Sequence, residues 1–153
     1  MKAWVLRKGA VSLDAMELVE MPQPVAQAGE VLIRVRATSL NYRDQAIVRG
    51  VYLGGPVAQD IVLLSDGAGE IVALGAGVSE FAVGDRVAGT FFQNWQDGLP
   101  HPAIGPALGA SGGAGMLAEY VALPASGVVK IAQSLSFAEA ACLPCAGVTA
   151  WNA

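Results

Sequence analysis

The stretch Asp60–Gly89, DIVLLSDGAGEIVALGAGVSEFAVGDRVAG, decides how this chain reads. Apolar runs at Ile61–Leu64 and Ile71–Leu74 are split by Ser65-Asp66-Gly67-Ala68-Gly69. A third run, Phe81–Val83, leads into Gly84-Asp85 and then Arg86-Val87-Ala88. Short β-branched segments broken by Gly and Asp at close intervals predict strands that turn tightly on one another. Gly67, Gly69, Gly75, Gly77 and Gly84 supply the positive φ angles or close backbone approaches that such corners need. The expected fold is mainly β, a barrel or sandwich with sharp corners and short helices.

On the N-terminal side, Lys2–Arg7 and Met16–Glu20 read as two strands around a turn near Ser12–Asp14, and Pro22–Gly29 as a loop. In Glu30–Thr38, Val31, Ile33 and Val35 alternate with Leu32, Arg34 and Arg36, the period of a strand with one apolar face. Asn41 is placed to cap a helix running to about Arg49, with Asp44 three residues on, favourable for the helix dipole. Residues 50–56 end that helix. On the C-terminal side, Phe91–Gly115 is rich in Gly, Pro and Ala without a period. A loop that long inside a compact domain is functional or covers something. Leu117–Leu123 and Val128–Ile131 read as strands around a turn at Pro124–Gly127. Ser136–Ala141 is a short helix with a Ser136/Glu139 capping box, and Pro144–Ala153 begins another.

The 153 residues suit one folding unit with a real core. The net charge of −4 and the absence of a basic cluster argue against a nucleic-acid or anionic-membrane partner. No apolar run reaches the roughly 18 residues of a membrane span, and the N-terminus lacks a secretory pattern, so the expected location is cytoplasmic. Hydrophobic residues make up 54% of the chain and charged ones only 14%, well below the usual share of about 25%. That imbalance predicts apolar surface that something else covers.

The run SDGAGEIVALGAGVSEFAVGDRVAG resembles the signature of the medium-chain dehydrogenase/reductases, and more narrowly their zinc-independent, quinone-oxidoreductase-like branch. Several turn positions agree at once, and Asn41-x-x-Asp44 and Leu143-Pro-Cys-Ala-Gly-Val-Thr149-Ala-Trp151 agree with them. The resemblance implies a GroES-like, partly open β-barrel as an N-terminal catalytic domain over residues 1–127. Residues 128–153 would be a connecting segment and the first helix leading to a Rossmann cofactor domain outside this sequence. It implies an NAD(P)-dependent oxidoreductase that reduces a quinone, enone or activated carbonyl by hydride transfer, with NADPH favoured over NADH. This stretch alone would be inactive. The complete protein would be a homo-oligomer acting on a small molecule. The alternative is a non-enzymatic GroES-like binding or assembly module.

The resemblance carries three site residues. Asn41 matches an Asn beside the nicotinamide, and so is a candidate for both catalysis and cofactor binding. Tyr52 matches a proposed proton donor of enoyl-thioester-reducing relatives. Thr149 matches a Thr near the nicotinamide ribose or amide. Each has a plainer reading, as helix cap, loop-packing aromatic and helix-packing residue respectively. Arg43 and Asp44 read as structural. Without zinc, hydroxyls and amides must stabilise a developing oxyanion, and Asn41 and Tyr52 are suitable donors.

A zinc site is not expected. The zinc-using branch has Cys-His where Asn41-Tyr42 stand and Gly-His-Glu where Leu64-Ser65-Asp66 stand. One His and two Cys in the whole chain are too few ligands. Three other motif matches lack their context. Cys142-x-x-Cys145 has no thioredoxin-like setting and reads as structural cysteines. Gly109-x-Ser111-x-Gly113 lacks the strand and helix of a nucleophile elbow. Gly113-x-Gly115-x-x-Ala118 is followed by a strand rather than the helix of a dinucleotide turn.

Overall fold

The computed structural model describes every residue except Leu53, Ser111 and Gly113. The Ser111 elbow and the Gly113 fingerprint therefore lie partly outside the described residues. The mainly-β expectation holds: among the described residues eight strands form two antiparallel sheets, with short helices at their ends.

The smaller sheet joins β1 (Lys2–Leu6) to β2 (Met16–Glu20) on one side and β4 (Ile61–Val62) on the other. The larger has the order β7-β3-β5-β6-β8, with β3 (Glu30–Ser39), β5 (Asp66–Leu74), β6 (Arg86–Gly89), β7 (Tyr120–Pro124) and β8 (Val128–Lys130). Residues 116–119 lace the two together. Met116 and Leu117 donate to the carbonyls of Leu64 and Leu63, and Trp4 donates to the Leu117 carbonyl. The sheets thus curl around one core of Leu6, Val31, Ile33, Ile71, Leu108, Met116 and Leu123 with their neighbours.

The glycine-rich centre of the diagnostic stretch differs from its expected form. Ser65–Gly69 is not a corner: Gly67, Ala68 and Gly69 run inside β5, paired with Thr38, Ala37 and Val35 of β3. Glycine is needed at 67 and 69 because a Cβ would run into Met116 and the Arg34 carbonyl. Gly77 and Gly84 do carry positive φ, +84° and +94°. Phe81–Val83 forms no strand. The Asp85 carboxylate accepts the Ala82 N–H at 2.9 Å, closing a turn that leaves Val83 exposed. The Ile61–Leu64 run stops short at Val62, and Leu64 takes the left-handed conformation, φ +71°.

On β3 the outward Arg34 and Arg36 both reach Glu70 of β5, at 2.9 and 3.0 Å. The helix α1 (Tyr42–Val48) starts as expected at Asn41. A second, α2 (Phe137–Ala141), begins with the Ser136/Glu139 box and buries Ala140 and Ala141 against Ala68 and Ala88. Small side chains on both surfaces let this helix lie close to the sheet.

The C-terminal helix is less regular than expected. Leu143–Gly147 forms a π-turn, and only Val148–Trp151 (α3) is α-helical. Pro144 offers no N–H, and the Cys145 N–H donates to the Asp66 carboxylate at 3.1 Å instead. The described residues of 91–115 are loop apart from a 3₁₀ turn at Pro102–Ile104, and they do cover the core: Leu108 is 1% exposed. Among the described residues no helix is long and apolar enough to cross a membrane.

Candidate functional site

The site is built where α1, the loop after it, the 91–110 loop and the C-terminal turn meet. Asn41 and Asp44 make a capping box at the start of α1, with the Asp44 carboxylate accepting the Asn41 N–H at 2.7 Å. The Asn41 side-chain nitrogen is buried and has no acceptor among the described residues. Asp44 is itself buried, which pushes its carboxyl up from the usual range against the pull of the Asn41 N–H and of Arg43.

Tyr52 lies half-buried in the loop after α1 and forms one wall of a cavity of about 300 Å³. The ring centroid is 5.2 Å from the centre of the Arg43 guanidinium, and Phe91 stands 4.8 Å from the same group. Thr149 is exposed on α3 and lines a second, larger cavity of about 580 Å³ that is mostly apolar. Phe91 and Phe92 belong to both cavities, so Tyr52 and Thr149 face two chambers that share an aromatic partition. Asn41 lines neither of them.

Between the chambers lies a buried polar cluster. Asp66, fully buried, accepts the Ser65 hydroxyl at 2.9 Å and the Cys145 N–H at 3.1 Å. Burial pushes the Cys145 thiol up, and Asp66 adds to the shift. That is opposite to what a reactive thiolate requires. Cys142 is exposed rather than packed inside, contrary to the reading of both cysteines as small buried hydrophobes. His101 caps its own 3₁₀ turn, accepting the Ala103 N–H.

At the positions compared above with the Cys-His and Gly-His-Glu runs of the zinc-using branch, the residues are Asn41-Tyr42 and Leu64-Ser65-Asp66. Among the described residues no three His, Cys, Asp or Glu side chains are grouped so as to hold a metal ion. The donor set does not fit zinc, which asks for three or four thiolate, imidazole or carboxylate ligands. Nor is there, among the described residues, a strand–glycine-turn–helix unit to hold a pyrophosphate.

Arg43 is the residue that sequence reasoning undervalued. It is 7% exposed, on the same face of α1 as Ile47, four residues on. A charged residue on the apolar face of an amphipathic helix was the available signal, because arginine is rarely buried without a specific partner.

Comparison with known proteins agrees with this fold. The model of the alcohol dehydrogenase GroES-like domain matches residues 27–133. A zinc-type alcohol dehydrogenase-like protein of Schizosaccharomyces pombe is 45% identical over 137 residues, covering 89% of this chain and 39% of the relative. A chloroplast envelope quinone oxidoreductase homolog of Arabidopsis thaliana is 36% identical over 141 residues, covering 90% and 37%. The structure of the quinone oxidoreductase from Coxiella burnetii superposes with a TM-score of 0.76 at 28% identity, covering 99% of this chain and 43% of that one. The chain therefore spans about two-fifths of the length of these relatives.

Proposed function

Because the chain belongs to the alcohol dehydrogenase GroES-like family of medium-chain dehydrogenase/reductases, with quinone-oxidoreductase-like relatives, we propose that it is the catalytic portion of an NAD(P)-dependent, zinc-independent oxidoreductase. Its substrate is a quinone, enone or other activated carbonyl, and its reductant NADPH in preference to NADH. The nicotinamide supplies the hydride. The residues of this chain orient the reacting groups, exclude water and provide a proton. The pyrophosphate is held by a part of the protein beyond these residues, so the 153-residue chain alone does not turn over cofactor.

The observation that carries the reading is the Asn41 amide nitrogen, a buried donor left without an acceptor at the head of α1. Buried donors are rarely left unpaired, and one kept free fits a group that meets its partner only in the complex. Asn41 then positions the nicotinamide side, with Thr149 beyond the aromatic partition. Tyr52 presents a hydroxyl at the wall of the smaller chamber and delivers the proton to the reduced substrate.

The test is Tyr52→Phe in the complete protein, assayed with NADPH and an enone or quinone. Removal of a positioned proton donor lowers kcat by about 10²–10⁴-fold, while the retained ring leaves stability unchanged. A variant within about twofold of the parent rate would make Tyr52 a packing residue only.

A further inference from the structure

Phe91 and Phe92 are the two residues that line both chambers, and they are held differently. The Phe91 carbonyl accepts the Leu108 N–H at 3.0 Å, and its ring faces the Arg43 guanidinium at 4.8 Å. Arg43 in turn donates to the Leu108 carbonyl at 3.0 Å, so loss of the Phe91 ring would disturb a buried charge. The Phe92 ring faces no cation among the described residues. It packs edge-to-face against Phe91, with centroids 4.8 Å apart, and against Trp95 at 5.7 Å. Its backbone is secured independently, because the Phe92 carbonyl accepts the Thr90 hydroxyl at 3.1 Å and the Trp95 N–H at 3.5 Å. The ring can therefore be removed without releasing the chain that carries it.

The two spaces on either side differ in capacity. The smaller, about 300 Å³ with Tyr52 on its wall, is at the lower end of small-molecule sites. The larger, about 580 Å³, has Val129, Ile131, Ala132 and Leu135 on the side of β8 and the turn after it. Among its described lining residues Lys130 carries the sole charge, and Asp85 pairs with it at 2.8 Å. An uncharged alkyl chain suits such walls, where each buried methylene is worth about fourfold in affinity.

We propose that Phe92 sets the chain length of the substrate. Its ring closes the smaller chamber behind an enone held at Tyr52, so short enones fit and those with a long alkyl tail do not. Without the ring the tail enters the larger chamber along the β8 wall, apart from Thr149 on α3. The inference deepens the proposed function and rests on it for one point, that the reducible bond lies in the Tyr52 chamber.

The test is turnover by the complete protein, with NADPH, of ethylideneacetone and of its long-chain homologue heptylideneacetone. The quantity read is the ratio of the two kcat/KM values. The parent favours the short enone by at least about tenfold. Phe92→Ala moves the ratio at least about tenfold toward the long enone, chiefly by lowering its KM. Phe92→Leu moves it less. Val129→Trp, made in the Phe92→Ala background at an exposed residue of the β8 wall, takes the gain away. A variant that is merely destabilised loses rate with both enones and keeps the parent's ratio. Circular dichroism establishes that each variant is folded, and if none folds the parent's own ratio decides. A parent that takes both enones equally well, a folded Phe92→Ala with the parent's ratio, or a gain that survives Val129→Trp would overturn the inference and leave the proposed function standing. A parent that reduces neither enone overturns the inference, and one that reduces no quinone either overturns the proposed function with it.

Discussion

Gly109→Ala tests how firmly the 91–115 loop is fixed to the barrel. A Cβ at this position would stand 2.5, 2.6 and 2.7 Å from the C, N and O atoms of Leu64, where ordinary contact begins near 3.4 Å. The gap must widen by about 0.9 Å. The Leu64 backbone has little room to yield, because its carbonyl accepts the Met116 N–H at 2.8 Å and its φ is already +71°. Two costs follow. Gly109 has φ +66°, and an alanine there costs roughly 1–2 kcal/mol of left-handed strain. Overpacking adds about 1–3 kcal/mol. Together they come to about 3 kcal/mol, a fall in Tm of about 6–12 °C for a chain this long. Gly98→Ala is the control. Its φ is +74° but nothing lies within 4 Å of the added carbon, so it bears the strain alone and loses only about 3–6 °C. Thermal unfolding followed by circular dichroism measures both. If Gly109→Ala melts no lower than Gly98→Ala, the loop yields freely and the contact with Leu64 holds nothing in place.

Ser136→Ala removes the hydroxyl that accepts the Glu139 N–H and donates to its carboxylate, and lowers stability by about 1 kcal/mol by denaturant unfolding. Acid weakens the fold for a reason that can be assigned. Arg34, with Arg36, holds the Glu70 carboxyl below its ordinary value, and Lys130 does the same for Asp85. A depressed folded pKa gives stability that is present above the unfolded value and lost as pH falls through the folded one. Buried Asp44 has the opposite sign, since its raised pKa favours the fold once it is protonated. The depressed carboxylates outnumber it, so Tm falls as pH drops through and below the carboxylate range, and Glu70→Gln flattens that fall. Leu143, Val148 and Val129 are exposed at the larger chamber and Trp151 is exposed on α3, so the chain binds a hydrophobic dye or self-associates at high concentration. A dye-silent monomer by light scattering would contradict this.

The sequence made the strand content and the helix caps legible because both depend on local chemistry. The alternation in Glu30–Thr38, and Asn41 and Ser136 three residues ahead of an acid, require no knowledge of distant partners. The role of Gly67-Ala68-Gly69 was not legible, because glycine marks a corner and a close approach with the same letter. Here the approach is to Met116 and Arg34, both far along the chain. Leu64 escaped for a similar reason, since its left-handed backbone meets distant residues, Gly109 against it and the Met116 N–H on its carbonyl. At the site, Asn41 and Tyr52 came from a family pattern, which carries residue identity without geometry. It gave no hint that Tyr52 and Thr149 face separate chambers. Arg43 was hidden by the usual habit of arginine, which is to lie on the surface.

Leu108 gives the 91–115 loop an uneven freedom to change. Surface loops are where homologous proteins usually accept insertions and exchange side chains. In this loop residues 94–103 are exposed, whereas Ala107, Leu108 and Gly109 are buried and Leu108 belongs to the core. Divergence is therefore channelled into the outer arc. A lengthened or rewritten arc could alter what reaches the chambers without a packing penalty, provided that the plug at 107–109 keeps its residues and its spacing from Phe91, whose carbonyl accepts the Leu108 N–H at 3.0 Å. The same plug holds the end of Arg43, so a lineage that lost Leu108's position would lose the arginine's orientation with it.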